Sequence, residues 1–568
     1  MSVVLIILAY PPSTAWLRWL IFIALVPLIR FLDHAETKKR AFWGLFLFSF
    51  LFLGWNIRWF FSVLPADWAG IENPVAGAAL VGIIWLLTTI VLSLPMAAVG
   101  TLYATIQTKR AQQHITKPLL FLLPSLWILG EYLRAWLFSV FWVGPGTLLG
   151  PHWTFGFLGY DLTNFPLLLQ SSKLVGVYGA GFLLILANVC AARIIATRGL
   201  HIHRRLTFTR FHLVRFSNIA IVCAIVTALL FYGARQLKSD RSPPGEIKKI
   251  VLLQTNAYHY AFHDAAAFEQ FIRDELNLLR RAAYQKPDIV ILPEGSRLTL
   301  RFGERTPAIL QDIFGTERSI IIVDSARLSQ TGPSKERTFI YDTRAGLIGI
   351  SDKTLTIPGG EYLPTVLTTA ARFAGQKKWL DRFAHLRHII PGEYSPHAAL
   401  DPRRQPLGIQ LCSAVLAPHL WRDPVKNASA QLLVNAASQG LFKGSAFRDQ
   451  ALAWLRFFAA SNDRWLAQAA NSGYSYIIDN NGQVRARTDT LGLQTIAGIV
   501  EYRATKTPYV RFGDWPLIAA IIVLVLTIVS GRPITIKINR EIKPNSGGHP
   551  HTPPENAGRF EAASDEPC

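Results

Sequence analysis

The apolar positions of this chain fall into long unbroken blocks, and then the pattern changes character. Blocks lie at 16–32, 41–64, 75–106, 118–138, 167–195 and 219–232, and one more lies at 515–529. A hydrocarbon core of roughly 30 Å takes about 20 apolar residues of helix, so these blocks predict helices that cross a membrane. Residues 2–10 are apolar but short and predict an extra short span or a re-entrant piece. They lack the basic leader and small-residue cleavage site of a signal peptide. Between 236 and 509 the pattern is that of a soluble domain. β-Branched apolar runs at 248–256, 288–294, 319–325, 406–412 and 430–438 predict strands. Helical spacing at 265–284 (Phe268, Phe271, Leu276, Leu279) and at 448–460 predicts helices. Hairpins are predicted around Thr343 to Gly346 and, with Asn481-Gly482 in the turn, over 474–487. Alternating strands and helices with added hairpins argue an α/β domain of stacked sheets. The organisation that results is a bundle over 1–235, an α/β domain over 236–509, a C-terminal span over 510–531 and a polar, disordered tail over 532–568.

Composition supports a membrane protein. Of 568 residues, 51% are apolar and only 17% charged, with a mean hydropathy of +0.26, against about 25% charged in soluble chains. Four cysteines do not make a disulfide framework. The net charge of +21 is distributed by loop. Lys38, Lys39 and Arg40, then Lys109, Arg110 and Lys117, then the arginines from 193 to 215, then Arg532, Lys537, Arg540 and Lys543 occupy alternate loops. The intervening loops 62–74 and 139–172 carry no Lys or Arg. Positive loops stay cytoplasmic. Eight spans, counting residues 2–10, put both termini in the cytoplasm and the α/β block outside it. The arginine-rich loop has no nucleic-acid motif beside it, so topology and anionic lipid explain it better than DNA or RNA.

Three polar residues close predicted strands: Glu294, Lys353 and Cys412. Reactive groups gather at such strand ends in α/β folds. A Cys nucleophile needs a base, and its transition state needs a cation or donor for the oxyanion. Taken singly, the three read as a turn cap, a surface lysine and a small core residue. Their spacing and surroundings change that. Each is 59 residues from the next, and the order Glu, Lys, Cys resembles the nitrilase superfamily of C–N hydrolases. The flanking sequence is closer still to one membrane branch, the apolipoprotein N-acyltransferases. Residues 351–364, SDKTLTIPGGEYLP, resemble that family's K-x-x-L-V-P-F-G-E-Y-x-P. VLLQTN, LPEGS, the run AQAANSGYSYIIDNNGQVRA at 467–486 and PYVRFGDWP at 508–516 resemble further family segments, as does AFWGLFLFSFLFLGWNIRW at 41–59.

The resemblance implies a nitrilase-like α-β-β-α domain outside the inner membrane. It implies that Cys412 takes an acyl chain from a phospholipid as a thioester and passes it to the N-terminal amine of a diacylglyceryl-cysteine lipoprotein. Glu294 would be the general base, Lys353 the oxyanion partner and Glu361 a second glutamate at the site. Ser413 and Asn471 would support substrate. The resemblance implies contact with membrane lipids. No Cys/His cluster suggests a metal, no other cofactor and no nucleic-acid partner are expected, and a monomer is the default because one bundle and one domain suffice.

The chain also departs from the family. Cys-Tyr-Glu becomes Cys412-Ser413-Ala414, and F-G-E becomes Gly359-Gly360-Glu361. Asn-Asp-x-Trp-Phe becomes the segment 436–442, AASQGLF, and Arg-Ala-x-Glu becomes Phe458-Ala459-Ala460-Ser461, with Arg456 nearby as a compensating charge. These losses leave open a paralogue with another acyl-transfer or amidase reaction, or with a non-catalytic role such as one in conjugal transfer. Glu131 and Asp161 flank or enter apolar stretches and are either functional acids inside the membrane or interfacial residues. Trp55, Trp59, Trp68, Trp136 and Trp142 are expected in an interfacial aromatic belt, and Cys190 and Cys223 as packing residues.

Overall fold

The computed structural model describes residues 1–10, 16–112, 119–196, 208–238, 245–257, 264–328, 334–393, 407–442 and 444–530. The tail expected over 532–568 and most of the arginine-rich loop lie outside the described residues. Among the described residues, three helical stretches are long and apolar enough to cross a membrane: Lys38–Val63, Pro74–Arg110 and Ser172–Ile195. Leu122–Phe141 and Phe208–Lys238 are further helices of 20 and 31 residues, and Trp515–Ser530 is the last. The block at 16–32 is not one continuous helix. It is a 3-10 segment, Leu17–Phe22, followed by the eight-residue helix Val26–Asp33 with Pro27 in its first turn, where the missing N–H costs nothing. The block at 167–195 is likewise broken, because Gly176 takes φ +60° inside Ser172–Ala196. A Cβ there would lie 2.4 Å from the Tyr509 ring.

Glu131 and Asp161 are buried inside the bundle. They are 0% and 3% exposed, and Arg134 lies 3.9 Å from Glu131 while donating to the Phe155 carbonyl. A charge inside a bundle is tolerated when it faces other polar groups rather than lipid; Glu131 faces Arg134, while Glu131 Oε2 and Asp161 Oδ2 have no hydrogen-bond partner among the described residues. Cys190 is buried as a packing residue, whereas Cys223 is exposed.

The α/β domain contains two sheets. Strands β1 (Ile247–Gln254), β2 (Ile289–Ile291), β3 (Ile321–Leu328), β4 (Lys335–Asp342) and β5 (Gly346–Asp352) belong to the first. Strands β6 (Leu407–Leu411), β7 (Leu432–Ser438), β8 (Trp465–Asn471), β9 (Tyr476–Ile478) and β10 (Val484–Arg487) form the second, and β11 (Gln494–Glu501) returns to the first. The orders are β11-β1-β2-β3-β4-β5 and β10-β9-β8-β7-β6. Within each sheet three strands are parallel, β1-β2-β3 and β6-β7-β8, and hairpin strands extend the edges antiparallel.

Alternation along the strands decides the layering. Ile250, Leu252, Ile289 and Ile291 face Leu432, Val434, Ala467 and Ala469 between the sheets. Their neighbours Val251, Leu253 and Val290 face Leu278, Leu279 and Leu310 of the helices Ala265–Tyr284 and Thr306–Phe314. On the other side Leu433, Leu466 and Ile478 meet Trp421 and Trp454 of the helices Pro418–Asn427 and Phe447–Asn462. The period-2 split of apolar side chains thus builds an α-β-β-α stack. The outer helical layer of the second sheet shares its hydrophobic cluster with the bundle. Directed bonds tie them: Trp59 Nε1 donates to Gln450 Oε1 at 3.1 Å, Thr154 Oγ1 to the Leu416 carbonyl at 2.8 Å, and the Tyr362 hydroxyl to the Trp142 carbonyl at 2.9 Å.

Candidate active site

Parallel strands end together, and in the second sheet β6, β7 and β8 deliver Cys412, Ser438 and Asn471 to one edge. Glu294 follows β2, and Lys353 is the residue after β5. Lys353 is 3% exposed and lies between two carboxylates, with Nζ 2.8 Å from Glu294 Oε1 and 2.6 Å from Glu361 Oε1. Burial alone would lower its pKa, but Glu294 and Glu361 outweigh that and hold the ammonium well above its ordinary value. Glu361 also accepts the Ile357 N–H at 3.0 Å, so the loop after β5 is closed around the lysine.

Cys412 begins a short 3-10 turn, Cys412–Leu416, at φ +32°. A non-glycine residue there is strained. Its Sγ donates to the Ser438 carbonyl at 3.4 Å, and the Ser438 N–H donates to Glu294 Oε2 at 3.1 Å. One residue of β7 therefore holds thiol and carboxylate side by side. Burial first, and then the Glu294 charge, push the Cys412 thiol well above its usual pKa, with Lys353 opposing. The resting group is a thiol beside a buried ion pair.

The other residues singled out in the sequence take bracing positions. Ser413 donates its hydroxyl to the Leu355 carbonyl. Asn471 accepts the Ala257 N–H at 2.9 Å and donates to the Ala257 carbonyl at 3.2 Å and to Ser438 Oγ at 3.3 Å. It fastens β8 to the segment after β1. Arg456 does not compensate for the family's missing charge: its Nε donates to the Gly482 carbonyl, in the hairpin turn, away from Cys412.

Glu294, Glu361, Cys412, Ser413 and Asn471 line one cavity of about 260 Å³. Its other wall is apolar and comes from the bundle, with Trp59, Val81, Ile84, Phe138 and Trp142 among its residues. Trp59, Trp68 and Trp142 therefore face this cavity rather than serving as a lipid-interface belt, and Trp59 and Trp142 are 7% and 2% exposed. Phe442, in the segment that departs from the family, stands 5.2 Å from the Trp59 ring and lines the cavity too. Sequence reasoning passed over Glu336 and Arg327, on β4 and β3, which also line it. Their positions in ordinary strand patterns carried no signal.

Comparison with known proteins finds relatives along most of the chain. The apolipoprotein N-acyltransferase N-terminal domain family matches residues 2–190. An apolipoprotein N-acyltransferase of Geobacter metallireducens is 27% identical over 71% of this chain and 72% of its own. Those of Allorhizobium ampelinum and Chromobacterium violaceum are 24% and 23% identical, covering 84% and 88% of this chain and 84% and 87% of their own. Among solved structures, an amidase from Nesterenkonia sp. is 17% identical with a TM-score of 0.33, over 48% of this chain and 95% of that one. The apolar helices and the bacterial relatives together point to a bacterial inner membrane. With its bundle matched by that N-terminal domain family and the aligned relatives reaching on into the α/β domain, the chain is similar to the apolipoprotein N-acyltransferases over most of its length.

Proposed function

We propose that this protein is an N-acyltransferase that carries a fatty acyl chain from a phospholipid, through a thioester on Cys412, to the N-terminal amine of a diacylglyceryl-cysteine lipoprotein. Glu294 takes the Cys412 proton as the sulfur attacks the donor's ester carbonyl. Lys353 faces the oxygen on which charge develops, and in a buried site a fixed cation stabilises that charge far better than water does. Glu294 then returns the proton to the departing lyso-lipid alkoxide. Glu361 keeps Lys353 fixed while Glu294 is neutral. In the second half the acceptor amine attacks the thioester and Cys412 is regenerated. A thioester relays between ester and amide because thiolate is a far better leaving group than the product's nitrogen. The α/β domain works on the extracytoplasmic side, both termini are cytoplasmic, and one chain suffices.

The observation that carries this reading is the joint lining of the cavity. Glu294, Glu361 and Cys412, with Lys353 bonded to both carboxylates, open onto an apolar wall supplied by membrane helices, which suits a lipid tail and not a small water-soluble amide. The test is intact-protein mass spectrometry of detergent-purified protein with and without phospholipid, with Cys412→Ala as control. A fatty-acyl increment on the wild type alone supports the reading. Folded protein with an alkylatable Cys412 and no increment would sink it and leave the amidase or non-catalytic paralogue.

A further inference from the structure

Glu336 is the cavity's unexplained carboxylate. It lies on β4, 5% exposed, and lines the same cavity as Cys412. Its backbone carbonyl accepts the Lys353 N–H at 2.8 Å, so it stands beside the catalytic lysine's strand end. Its nearest cation, Arg327 Nε, is 3.9 Å from Oε2, beyond hydrogen-bond reach, and Oε1 has no hydrogen-bond partner among the described residues. A buried carboxylate oxygen left unmatched is costly. It is tolerated where a ligand supplies the missing donor.

The cavity's other carboxylates cannot play that part. Glu294 and Glu361 both bond Lys353. Position 414, where the resembled family carries a glutamate two residues after the nucleophile, is Ala414 here. Meanwhile the proposed acceptor is an ammonium at neutral pH, and it has no nucleophilic lone pair until a proton leaves it. The site therefore needs a carboxylate that Lys353 does not already hold.

Resting on the acyltransferase reading, we infer that Glu336 receives the ammonium of the acyl acceptor and takes its proton, so that the amine attacks the Cys412 thioester as free base. The nitrogen forms its bond to the acyl carbon and the carbon–sulfur bond breaks. The ammonium's three hydrogens divide evenly. One stays in the amide, one goes to Glu336 and then to water, and one reaches the departing thiolate through Glu294. The groups facing Glu336 are Glu294, Lys353 and Glu361 from the strand ends, Arg327 from β3 and Arg297 from the turn after β2. Burial, reinforced by Glu294 and opposed by Arg327 and Lys353, raises its carboxyl to about 7, which suits a base working near neutrality.

The experiment uses detergent-purified full-length protein, phosphatidylethanolamine as donor and a synthetic diacylglyceryl-cysteine peptide with a free N-terminus as acceptor. Acyl-Cys412 and N-acylated peptide are followed by mass spectrometry between about pH 6 and 9. Glu336→Gln is expected to accumulate acyl-Cys412 and to transfer at least about tenfold more slowly at neutral pH, recovering as rising pH frees the amine. Glu336→Asp, which keeps the carboxylate, should retain part of the transfer. Acquisition of the acyl group itself reports that the variant is folded. Transfer by Glu336→Gln with the wild-type rate and pH profile would overturn the inference. So would a Glu336→Gln protein that never acquires the acyl group while Glu336→Asp does, since Glu336 would then act before the acceptor arrives. A wild type that forms no adduct overturns the acyltransferase reading itself, and this inference with it.

Discussion

Lys173, at the start of a membrane helix, donates to Asp463 at the end of a domain helix at 2.9 Å, with side chains 4% and 9% exposed. Asp463 also binds Arg503 at 3.3 Å, Asn480 at 2.9 Å and the Thr505 hydroxyl. Bundle and domain are thus joined by a buried carboxylate serving two cations. Burial pushes the carboxyl up, but Lys173 and Arg503 outweigh it and the net shift is downward. A depressed carboxyl contributes stability that is present above its unfolded value near 3.8 and fades as pH falls from there toward the folded value. Asp463→Ala leaves both cations uncompensated and is expected to cost about 3–5 kcal/mol. Thermal unfolding in detergent should show the loss at neutral pH and a smaller loss in acid.

Lys353 is held in the same way, by Glu294 and Glu361. Lys353→Met removes the cation and leaves two buried carboxylates facing one another. The expected cost is again about 3–5 kcal/mol, part of it relieved as the carboxylates protonate. Lys353→Met/Glu361→Gln should recover some of the stability without recovering acyl-Cys412 formation. Equal loss of stability in the single and double variants would mean that the cluster is not an electrostatic unit.

The sequence made the chemistry more legible than the membrane packing. Glu294, Lys353 and Cys412 could be found because each closes a strand whose β-branched apolar run is plain. Two strands were missed. β8 reads WLAQAAN, an alanine-rich run without β-branched residues, and β11 reads QTIAGIVE, with five of its positions half-buried and two exposed. Both owe their conformation to pairing, β8 beside β7 and β11 beside β1, which is a tertiary effect on weak local preference. Hydropathy marked the apolar blocks but not their breaks between Phe22 and Val26 and at Gly176. It also could not distinguish a tryptophan facing lipid from Trp59 or Trp142 facing a cavity, because both settings favour a ring with a polar edge. Glu336 was invisible for a related reason. A single acid in a strand reads as solvent-facing until the second sheet covers it.

Trp59 should show how tightly the bundle is latched to the domain. Its indole N–H meets Gln450 Oε1, and Gln450 Nε2 donates to the Asn56 carbonyl at 2.9 Å. Its ring packs on Phe447 at 4.9 Å. Trp59→Phe keeps an aromatic ring but strands the buried amide oxygen, at an expected cost of about 1–3 kcal/mol. Adding Gln450→Leu removes the stranded group, so the double variant should lose less than the two single losses combined. Additive losses in a thermal double-mutant cycle would show that the hydrogen bond contributes nothing.

Cys412 offers a test of the site's electrostatics that needs no substrate. Its thiol is raised above the ordinary value of 9.0 by burial and by Glu294, while Lys353 pulls it down. A raised thiol favours the fold below the unfolded pKa, and that contribution disappears as pH rises through the folded value. Reactivity follows the same order, since the thiolate is the nucleophile. With Cys190, Cys223 and Cys568 replaced by Ser, iodoacetamide should label Cys412 more slowly than the unfolded chain at neutral pH, with an inflection above pH 9. Glu294→Gln removes the repelling charge and should move that inflection down. Lys353→Met removes the attracting one and should move it up. Shifts of the same sign in the two variants would contradict the arrangement of a buried thiol between opposed charges.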